Sequence, residues 1–398
     1  MNLSVNKLFS IAKKSKRKII GLMSGTSLDG LDIALCLCSN SGLSTKVKVL
    51  NFTTIPYDHE FRQLVKRIFS KREVDLQQVC LLNEFIGIRH AEMILETLNK
   101  WEVDPQEIDL IASHGQTIFH APKSLHGLAN FPNATLQIGD GDHIAMKTGI
   151  ITLSDFRQKH LAAGGEGAPL AVYGDYLIFS KAGENRVMLN IGGISNFTYL
   201  PGDKDMSKIF STDVGPGNTL MDQFVQQNYR GLYYDHNATI ASSGTINERL
   251  LNTLMDHPFF IADFPKTTGP ELFSLTYLNK ALLKSKLTKI DNADVLATLC
   301  RFSAHLIIAA FEECFKGQKL TVFMSGGGMH NPLLISHLKE GLPLIKFLTT
   351  NELKINPDAK EAVLFAVLAN ESVAGNAIDF GSRQGVPSVC MGKISFPK

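Results

Sequence analysis

A glycine- and hydroxyl-rich turn near the start of the chain is the densest candidate for chemistry. Within Gly21–Asp32, the stretch Met23–Gly30 reads Met-Ser-Gly-Thr-Ser-Leu-Asp-Gly. Small residues at a strand-to-strand turn let backbone amides approach an anion closely, and the hydroxyls add hydrogen-bond donors. Asp29-Gly30 equally suits an ordinary tight turn, so a phosphate loop and a plain hairpin both fit. The P-loop pattern G-x-x-x-x-G-K-[ST] does not occur in the sequence.

Two similar turns lie in the second half of the chain. Asn190–Asn196 reads Asn-Ile-Gly-Gly-Ile-Ser-Asn, and Ser325–Gly328 reads Ser-Gly-Gly-Gly. Two Gly/Ser hairpins that face each other can clamp the two ends of a triphosphate. The three glycines fit either an adenosine contact or a strand-to-helix turn. The nucleotide-binding candidates of this half are Asn190, Gly192, Gly193, Gly326, Gly327 and Gly328.

One aspartate of the second half is a candidate for a metal site. Asp213 follows a predicted strand and precedes Gly215 and Gly217. A carboxylate at such a place can hold Mg²⁺ through a bound water. A purely structural capping role explains the same residue.

Polar residues at two strand ends of the first half are candidates for binding and turning over a second substrate. His114, Gln116 and Thr117 lie in the predicted loop Ser113–Thr117 and suit sugar hydroxyls, although a neutral core histidine is equally consistent. Asp155 ends another predicted strand, where a carboxylate can serve as a general base. Arg157 would keep it ionised, but a plain Asp155–Arg157 salt bridge predicts the same two residues.

The predicted elements place these residues at comparable points of two halves. In the first half we predict strands at Ile19–Met23, Leu31–Leu37, Val47–Phe52, Leu110–Ala112 and Ile150–Leu153, and helices at Asp58–Ser70, Leu76–Lys100 and near His143. In the second half we predict strands at Val187–Asn190, Asn196–Leu200, Lys208–Ser211 and Thr321–Met324, and helices at 271–286 and Ala293–Lys316. Strand, glycine turn, strand, strand and helices thus occur twice, about 170 residues apart, which indicates an internal duplication.

The expected domains are a basic N-terminal arm (residues 1–18), an N-terminal lobe (19–182) and a C-terminal lobe (183–398). The arm carries Lys13–Lys18 behind the apolar stretch Leu8–Ala12, the reverse of the order in a signal peptide. A solvated arm is the simpler interpretation, and a nucleic-acid or membrane anchor is the alternative.

Composition limits the class of protein. Among 398 residues, 44% are hydrophobic and 20% charged, which excludes disordered and fibrous classes. A net charge of +2 argues against nucleic acid as the main partner. The six cysteines form no C-x-x-C pair, so we expect reduced thiols, with Cys36 and Cys38 in the core, and a cytoplasmic protein. No apolar run approaches the ~20 residues that span a bilayer, so no membrane partner is expected.

Together the motifs resemble one family, the anhydro-N-acetylmuramic acid kinases of the actin/hexokinase/Hsp70 ATPase superfamily. The resemblance runs from Gly21 to about Leu368. Its ordered blocks are GLMSGTSLDGLDIA (21–34), SHGQTIFHAP (113–122), TLQIGDGDHIA (135–145), TGIITLSDFR (148–157), GGEGAPL (164–170), NIGGISN (190–196), DVGPGNTLMD (213–222), KTTGPELF (266–273), SGGGMHNPLL (325–334) and DAKEAVLFAVLA (358–369).

The resemblance implies an α/β fold of two actin-like (ribonuclease H-like) lobes with mixed sheets and an interlobe cleft. It implies an ATP- and Mg²⁺-dependent kinase that opens 1,6-anhydro-N-acetylmuramic acid with water and phosphorylates O6, in peptidoglycan recycling. Asp155 matches the family's base for water attack at C1. The anhydro-sugar is the expected partner, and the sequence leaves open whether the protein is a homodimer. The ATP segment carries over onto Gly25, Thr26, Ser27, Leu28, Asp29, Gly30, Leu31 and Asp32.

Two positions depart from the family pattern. Glu166, a candidate substrate contact, stands where the family usually has glutamine, and Arg301 stands where it commonly has an acid. The two residues could be a swapped pair that preserves local charge. Two alternatives therefore remain open: a kinase for a different sugar, and a nucleotide-binding regulator that has lost catalysis.

Overall fold

The chain divides into two compact units in a computed structural model, which describes residues 2–168, 170–269, 272–287, 289–377, 379–380 and 385–398. The first unit comprises Met1–Phe179 and Lys354–Lys398, and the second comprises Ser180–Leu353. The strands of the described residues are β1 (Lys16–Ser24), β2 (Gly30–Ser39), β3 (Lys46–Pro56), β4 (Leu110–Ala121), β5 (Ala134–Ile138), β6 (Thr152–Ser154), β7 (Arg186–Ile191), β8 (Ile194–Leu200), β9 (Phe210–Pro216), β10 (Thr321–Ser325), β11 (Lys346–Thr349) and β12 (Lys393–Ser395). The helices are α1 (Leu3–Lys13), α2 (His59–Lys66), α3 (Leu76–Lys100), α4 (Lys123–His126), α5 (Gly141–Thr148), α6 (Phe156–Ala162), α7 (Ala171–Phe179), α8 (Thr219–Asn228), α9 (Glu248–Met255), α10 (Leu275–Lys284), α11 (Asn292–Phe315), α12 (Pro332–Gly341) and α13 (Lys360–Ala374).

The first unit is built on a seven-stranded mixed sheet. Its strands follow the order β12-β6-β4-β1-β2-β3, and β5 pairs with β4 outside this path. β1, β2 and β3 form an antiparallel meander, whereas β4 runs parallel to β1 and β6 parallel to β4. Ile19, Ile20 and Leu22 of β1 are almost fully buried, as expected for a central strand covered on both faces.

Helix α13 joins the last part of the chain to this sheet. It packs on β1, β2 and β4, and most of its surface is buried. A Cβ added to Gly21 of β1 would lie 1.9 Å from the carbonyl oxygen of Ala362, so the strand and the helix approach as closely as glycine allows. A buried ion pair between Lys360 and Asp175 (3.0 Å) links α13 to α7.

The second unit has a five-stranded mixed sheet in the order β11-β10-β7-β8-β9. β7, β8 and β9 form an antiparallel meander, and β10 runs parallel to β7 and to β11. Its core includes the buried side of α11 and a group of aromatic rings around Phe197, Phe311 and Phe315. The meander followed by parallel strands repeats the order of the first sheet, with β1 and β7 starting 170 residues apart (186 − 16). The predicted duplication and the fold class of two actin-like units with mixed sheets are confirmed.

Three expectations differ from the structure. Residues 354–398 pack in the first unit rather than the second. The reason is that β12 is a strand of the first sheet and α13 packs on that sheet. The basic arm is largely exposed, as expected, but it forms helix α1 and the start of β1, where Arg17 is buried and donates to the side-chain oxygen of Asn370 (2.7 Å). Ser113–Thr117 is not a loop but part of the long strand β4. The start of the predicted helix 271–286 lies outside the described residues, and α10 forms its later part.

Two further features bear on the expectations from composition. Cys36 and Cys38 are buried, as predicted for core thiols, and neither is in a disulfide. Helix α11 has the length and composition of a membrane span, which no single apolar run in the sequence indicated. However, 72% of its most apolar stretch is buried inside the protein, as in a core helix.

Candidate functional site

The turn between β1 and β2 has an unusual backbone. Leu28 adopts left-handed dihedral angles (φ 58°), which are strained for a residue with a branched side chain, while that side chain is buried. The Leu28 amide donates to the carbonyl oxygen of Gly25 (3.3 Å), and the Tyr57 amide donates to that of Asp29 (3.0 Å). A buried anchor thus fixes the turn, as a loop that presents backbone amides to a ligand requires.

Two glycines of this turn have different reasons to be glycine. A Cβ added to Gly30 would lie 2.4 Å from the carbonyl oxygen of Ile55, so close packing of β2 on β3 excludes a side chain there. A Cβ added to Gly25 would meet nothing closer than the Ser27 hydroxyl at 3.6 Å. Packing therefore explains Gly30 but not Gly25, where an added side chain would meet open space.

A buried hydrogen-bond network holds the start of the turn. The Ser24 hydroxyl donates to Oε1 of Gln116 (2.5 Å) and hydrogen-bonds with the Tyr57 hydroxyl (2.7 Å). Nε2 of Gln116 donates to the carbonyl oxygen of Gly25 (3.3 Å). Both ends of the Gln116 side chain are thus engaged, so it positions the turn, in contrast to the sugar contact suggested by its sequence context.

Negative charge surrounds the end of the turn. Burial raises the pKa of Asp32 to about 6, although Thr54 Oγ1 donates a hydrogen bond to its Oδ1 (2.5 Å). The carboxylates of Glu361, Asp358 and Asp29 raise it further. A carboxylate in such surroundings would be stabilised by a nearby cation.

His114 and Arg157 form a second buried contact. Nε of Arg157 donates to Nε2 of His114 (3.0 Å), and Nδ1 of His114 donates to the carbonyl oxygen of Gly115 (2.8 Å). Burial and the charge of Arg157 lower the pKa of His114 to about 3, so the imidazole is neutral. Nη1 of Arg157 also donates to the carbonyl oxygen of Gly167 (2.7 Å), which fixes the segment that carries Glu166.

Asp155 lies at the end of β6 in a strained conformation. Its backbone is left-handed (φ 59°), and although it occupies the N-cap of α6, its side chain does not cap the helix. Aspartate at an N-cap usually accepts such a bond, worth ~0.5–2 kcal/mol. Here Oδ2 instead accepts a hydrogen bond from Nζ of Lys393. Asp155 therefore pairs with Lys393 and does not form the alternative salt bridge with Arg157.

Asp155 and His114 line one pocket of the first unit, with a volume of about 290 Å³. The other lining residues are Asn83, Gly115, Gln137, Ile138, Gly139, Asp140, Gly141, Asp142, Ser154, Lys393, Ile394 and Ser395. Thr117 lies outside this set, where its hydroxyl accepts a hydrogen bond from Nε2 of Gln137 (3.2 Å). Glu166 is exposed on the loop after α6. The structure thus brings together Asp155 and His114, and Arg157 joins them through His114.

In the second unit, three glycine-containing segments meet. The amides of Gly217 and Asn218 donate to the carbonyl oxygens of Gly193 and Gly192, respectively (both 2.8 Å). Gly326 lies against β7, where a Cβ would be 2.5 Å from Oδ1 of Asn190. Gly328 is equally restricted by Ile191, whereas a Cβ at Gly192, Gly193 or Gly327 would meet nothing within 3.5 Å. The predicted residues therefore cluster, and the last three leave backbone open to a ligand.

Asp213 lies on β9, opposite Asn196 of β8. Its Oδ2 accepts a hydrogen bond from the amide of Thr268 (2.9 Å), and its own amide donates to the carbonyl oxygen of Lys266 (2.9 Å). Within the described ranges, no three His, Cys, Asp or Glu side chains are grouped so as to hold a metal ion. A metal bound here would thus depend mainly on ligand oxygens and water, as Mg²⁺ often does with phosphates.

Two residues that act on the candidate site residues were not themselves among the sequence candidates. Lys393 contacts Asp155 from a three-residue strand whose sequence carries no recognisable signal. Glu361, within the block DAKEAVLFAVLA, acts electrostatically on Arg157 and Asp32. An acidic residue at the start of a helix with a long apolar middle was the available signal for Glu361.

Comparisons with known proteins give a consistent result. A family model described as anhydro-N-acetylmuramic acid kinase matches residues 17–394. Proteins of that name from Pseudoalteromonas atlantica and Pseudoalteromonas translucida are each 52% identical to this chain, with both chains covered in full. One from Caldanaerobacter subterraneus is 38% identical over 98% of this chain and all of its own length. This chain belongs to the anhydro-N-acetylmuramic acid kinase family.

Proposed function

We propose that this kinase uses ATP and water to open the 1,6-anhydro ring of anhydro-N-acetylmuramic acid and to phosphorylate its O6. The products are N-acetylmuramic acid 6-phosphate and ADP, formed in the cytoplasm during peptidoglycan recycling. The arrangement of Asp155 supports this proposal most directly. A strained aspartate that gives up its capping bond and lines a polar pocket is what a positioned general base requires.

In the proposed reaction, Asp155 takes a proton from water while the water oxygen bonds to C1 of the sugar. The bond between C1 and O6 breaks, and O6 takes the γ-phosphoryl group of ATP. Inverting glycoside hydrolysis normally needs a second carboxylic acid to protonate the leaving oxygen. Phosphoryl transfer to O6 replaces that protonation, so one carboxylate is sufficient.

Backbone amides of the glycine-rich turns would bind phosphate. The Gly25 turn and the Gly192–Gly193 turn leave backbone uncovered by side chains. Mg²⁺, when bound, would neutralise phosphate charge, with Asp213 contributing through a water. The neutral His114 would orient Arg157 towards the sugar, and Glu166 would contact it from the neighbouring loop.

The reaction is tested by incubating the protein with ATP, Mg²⁺, anhydro-N-acetylmuramic acid and ¹⁸O-water. Mass spectrometry and NMR should find the label at C1 and the phosphate at O6. Phosphorylation without label at C1 would contradict the hydrolytic step.

Light scattering would test the further proposal that the protein is a homodimer.

A kinase for a different sugar is the second candidate, favoured by Arg301 on α11 and Glu166. A panel of small sugars separates the two. Phosphorylation of a sugar with a free reducing end, and no turnover of the anhydro-sugar, would favour this candidate. ATP binding without turnover of any sugar would instead indicate a regulator.

A further inference from the structure

The end of the chain forms one wall of the pocket that contains Asp155. Strand β12 pairs antiparallel with β6, and the register places Lys393 opposite Ser154, the residue before Asp155. Lys393, Ile394 and Ser395 all line the pocket. Lys393 lies 238 positions from Asp155 along the chain, so the fold brings it there specifically.

Close packing shows that β12 is a built part of this region. A Cβ added to Gly141, at the start of α5, would lie 2.4 Å from the Ser154 hydroxyl and 3.0 Å from that of Ser395. A Cβ added to Gly392 would lie 3.3 Å from the ring of Phe156. The backbone that presents Lys393 is therefore held by neighbours on both sides.

Charge gives Lys393 a distinct place in the pocket. Among the described residues that line it, Lys393 is the only cation, because burial keeps His114 neutral, whereas Asp140, Asp142 and Asp155 are acidic. The Lys393 side chain is 65% exposed and that of Asp155 26% exposed. An ion pair this exposed contributes little to stability, so stability does not explain it.

We propose that Lys393 is a positioning residue for Asp155. By donating to Oδ2, its ammonium group fixes the carboxylate rotamer and leaves Oδ1 to accept the proton of the attacking water. It also offsets repulsion between Asp155 and the other carboxylates of the pocket. This inference rests on the proposed function, since it assigns Lys393 a role in activating that water.

The test compares wild type, Lys393→Met, Lys393→Arg, Asp155→Asn and the double variant Lys393→Met/Asp155→Asn in the anhydro-sugar assay. Lys393→Met should lower kcat by up to about 100-fold, the loss that a misplacement of about 1 Å can cause. The KM for ATP should not change. Lys393→Arg should recover most of the turnover, because it keeps a cationic donor near the same place.

The double variant separates positioning from a general structural role. If Lys393 acts through Asp155, adding Lys393→Met to Asp155→Asn should change turnover by less than about twofold. Lys147→Met is the matched control, since Lys147 pairs with Glu92 on the surface of the same unit (3.6 Å). All variants should unfold at the same temperature as wild type.

Each remaining outcome counts against the inference. Lys393→Met with wild-type turnover, or an equal further loss in the Asp155→Asn background, would overturn it and leave the proposed function standing. Wild-type protein that does not turn over the anhydro-sugar would overturn both together.

Discussion

Nε of Arg157 donates a hydrogen bond to Nε2 of His114 over 3.0 Å, and this contact decides which imidazole nitrogen carries the proton. Because Nε2 is the acceptor, the proton lies on Nδ1, which donates to the carbonyl oxygen of Gly115. A neutral ring of fixed tautomer, itself part of the pocket lining, thus holds the charged guanidinium of Arg157.

Replacing His114 by alanine should destabilise the first unit. Arg157 and the Gly115 carbonyl would each lose a buried partner, and together with the lost ring packing we expect a cost of about 2–4 kcal/mol in the free energy of unfolding. Urea denaturation would measure it, with the exposed His59→Ala as the control. Equal unfolding free energies for the two variants would show that this contact carries no stability.

Replacing Asp155 by asparagine should slow the reaction strongly without affecting nucleotide binding. General-base catalysis typically contributes ~10²–10⁴-fold, so kcat should fall by at least about 100-fold. Isothermal titration calorimetry should find wild-type ATP affinity. Asn in place of the exposed Asp203 controls for the change of charge. Near-normal turnover of Asp155→Asn would exclude the role as base.

Gly25→Ala should impair ATP binding, whereas Gly30→Ala should lower the stability of the fold. A methyl group at Gly25 meets open space, so the protein should fold normally while the KM for ATP rises about tenfold or more as phosphate contact is blocked. A methyl group at Gly30 meets the Ile55 carbonyl oxygen, and such overpacking costs about 1–3 kcal/mol. Thermal unfolding and ATP kinetics on both variants would reveal whether the contrast holds.

Gln116→Met should weaken ATP binding through the turn. Methionine has a similar length but lacks the groups that pair with Ser24 and Gly25, so their buried polar atoms would be left without these partners at a cost of about 1–3 kcal/mol. We expect a higher KM for ATP and a lower unfolding temperature. The surface substitution Gln77→Met is the control. If Gln116→Met has the same KM for ATP and the same unfolding temperature as Gln77→Met, Gln116 does not position the turn for ATP.

Asp32→Asn should stabilise the protein at neutral pH. The pKa of Asp32 is about 6 in the folded state and near 3.8 in the unfolded chain, so ionisation disfavours folding as the pH rises through 4–6. Because the side chain is partly exposed, we expect a gain of only about 1 kcal/mol above pH 6 and none below pH 4. Denaturation from pH 4 to pH 8 would measure the difference in unfolding free energy between Asp32→Asn and wild type. A difference that does not change with pH would contradict the raised pKa of Asp32.

The sequence was most informative where structure is local. Hairpins such as β1–β2 and β7–β8 follow from short apolar runs broken by glycine, and helix α3 was predicted with its observed bounds. The duplication could be inferred because the same order of elements recurs. Asn190, Gly192 and Gly326 were each predicted to bind nucleotide, whereas their meeting follows from the parallel pairing of β10 with β7.

Long-range pairing accounts for most of what the sequence missed. Ser113–Thr117 contains glycine and polar residues typical of a loop, yet pairing with β1 and β5 extends the strand through it. Lys393 lies in a three-residue strand without an apolar run, and its partner Asp155 is far away in sequence. Helix α1 was hidden by its basic residues, although Ile11 is buried.

The return of α13 and β12 to the first sheet has a consequence for biosynthesis. Ribosomes deliver the chain from its N-terminus, so Ser180–Leu353, which is continuous, can fold before α13 has left the exit tunnel. Until then, the sheet formed by β1, β2 and β4 exposes the apolar face that α13 covers. A nascent chain paused near Leu353 would therefore need chaperone protection at its earliest-made portion, even though its latest-made portion was already folded.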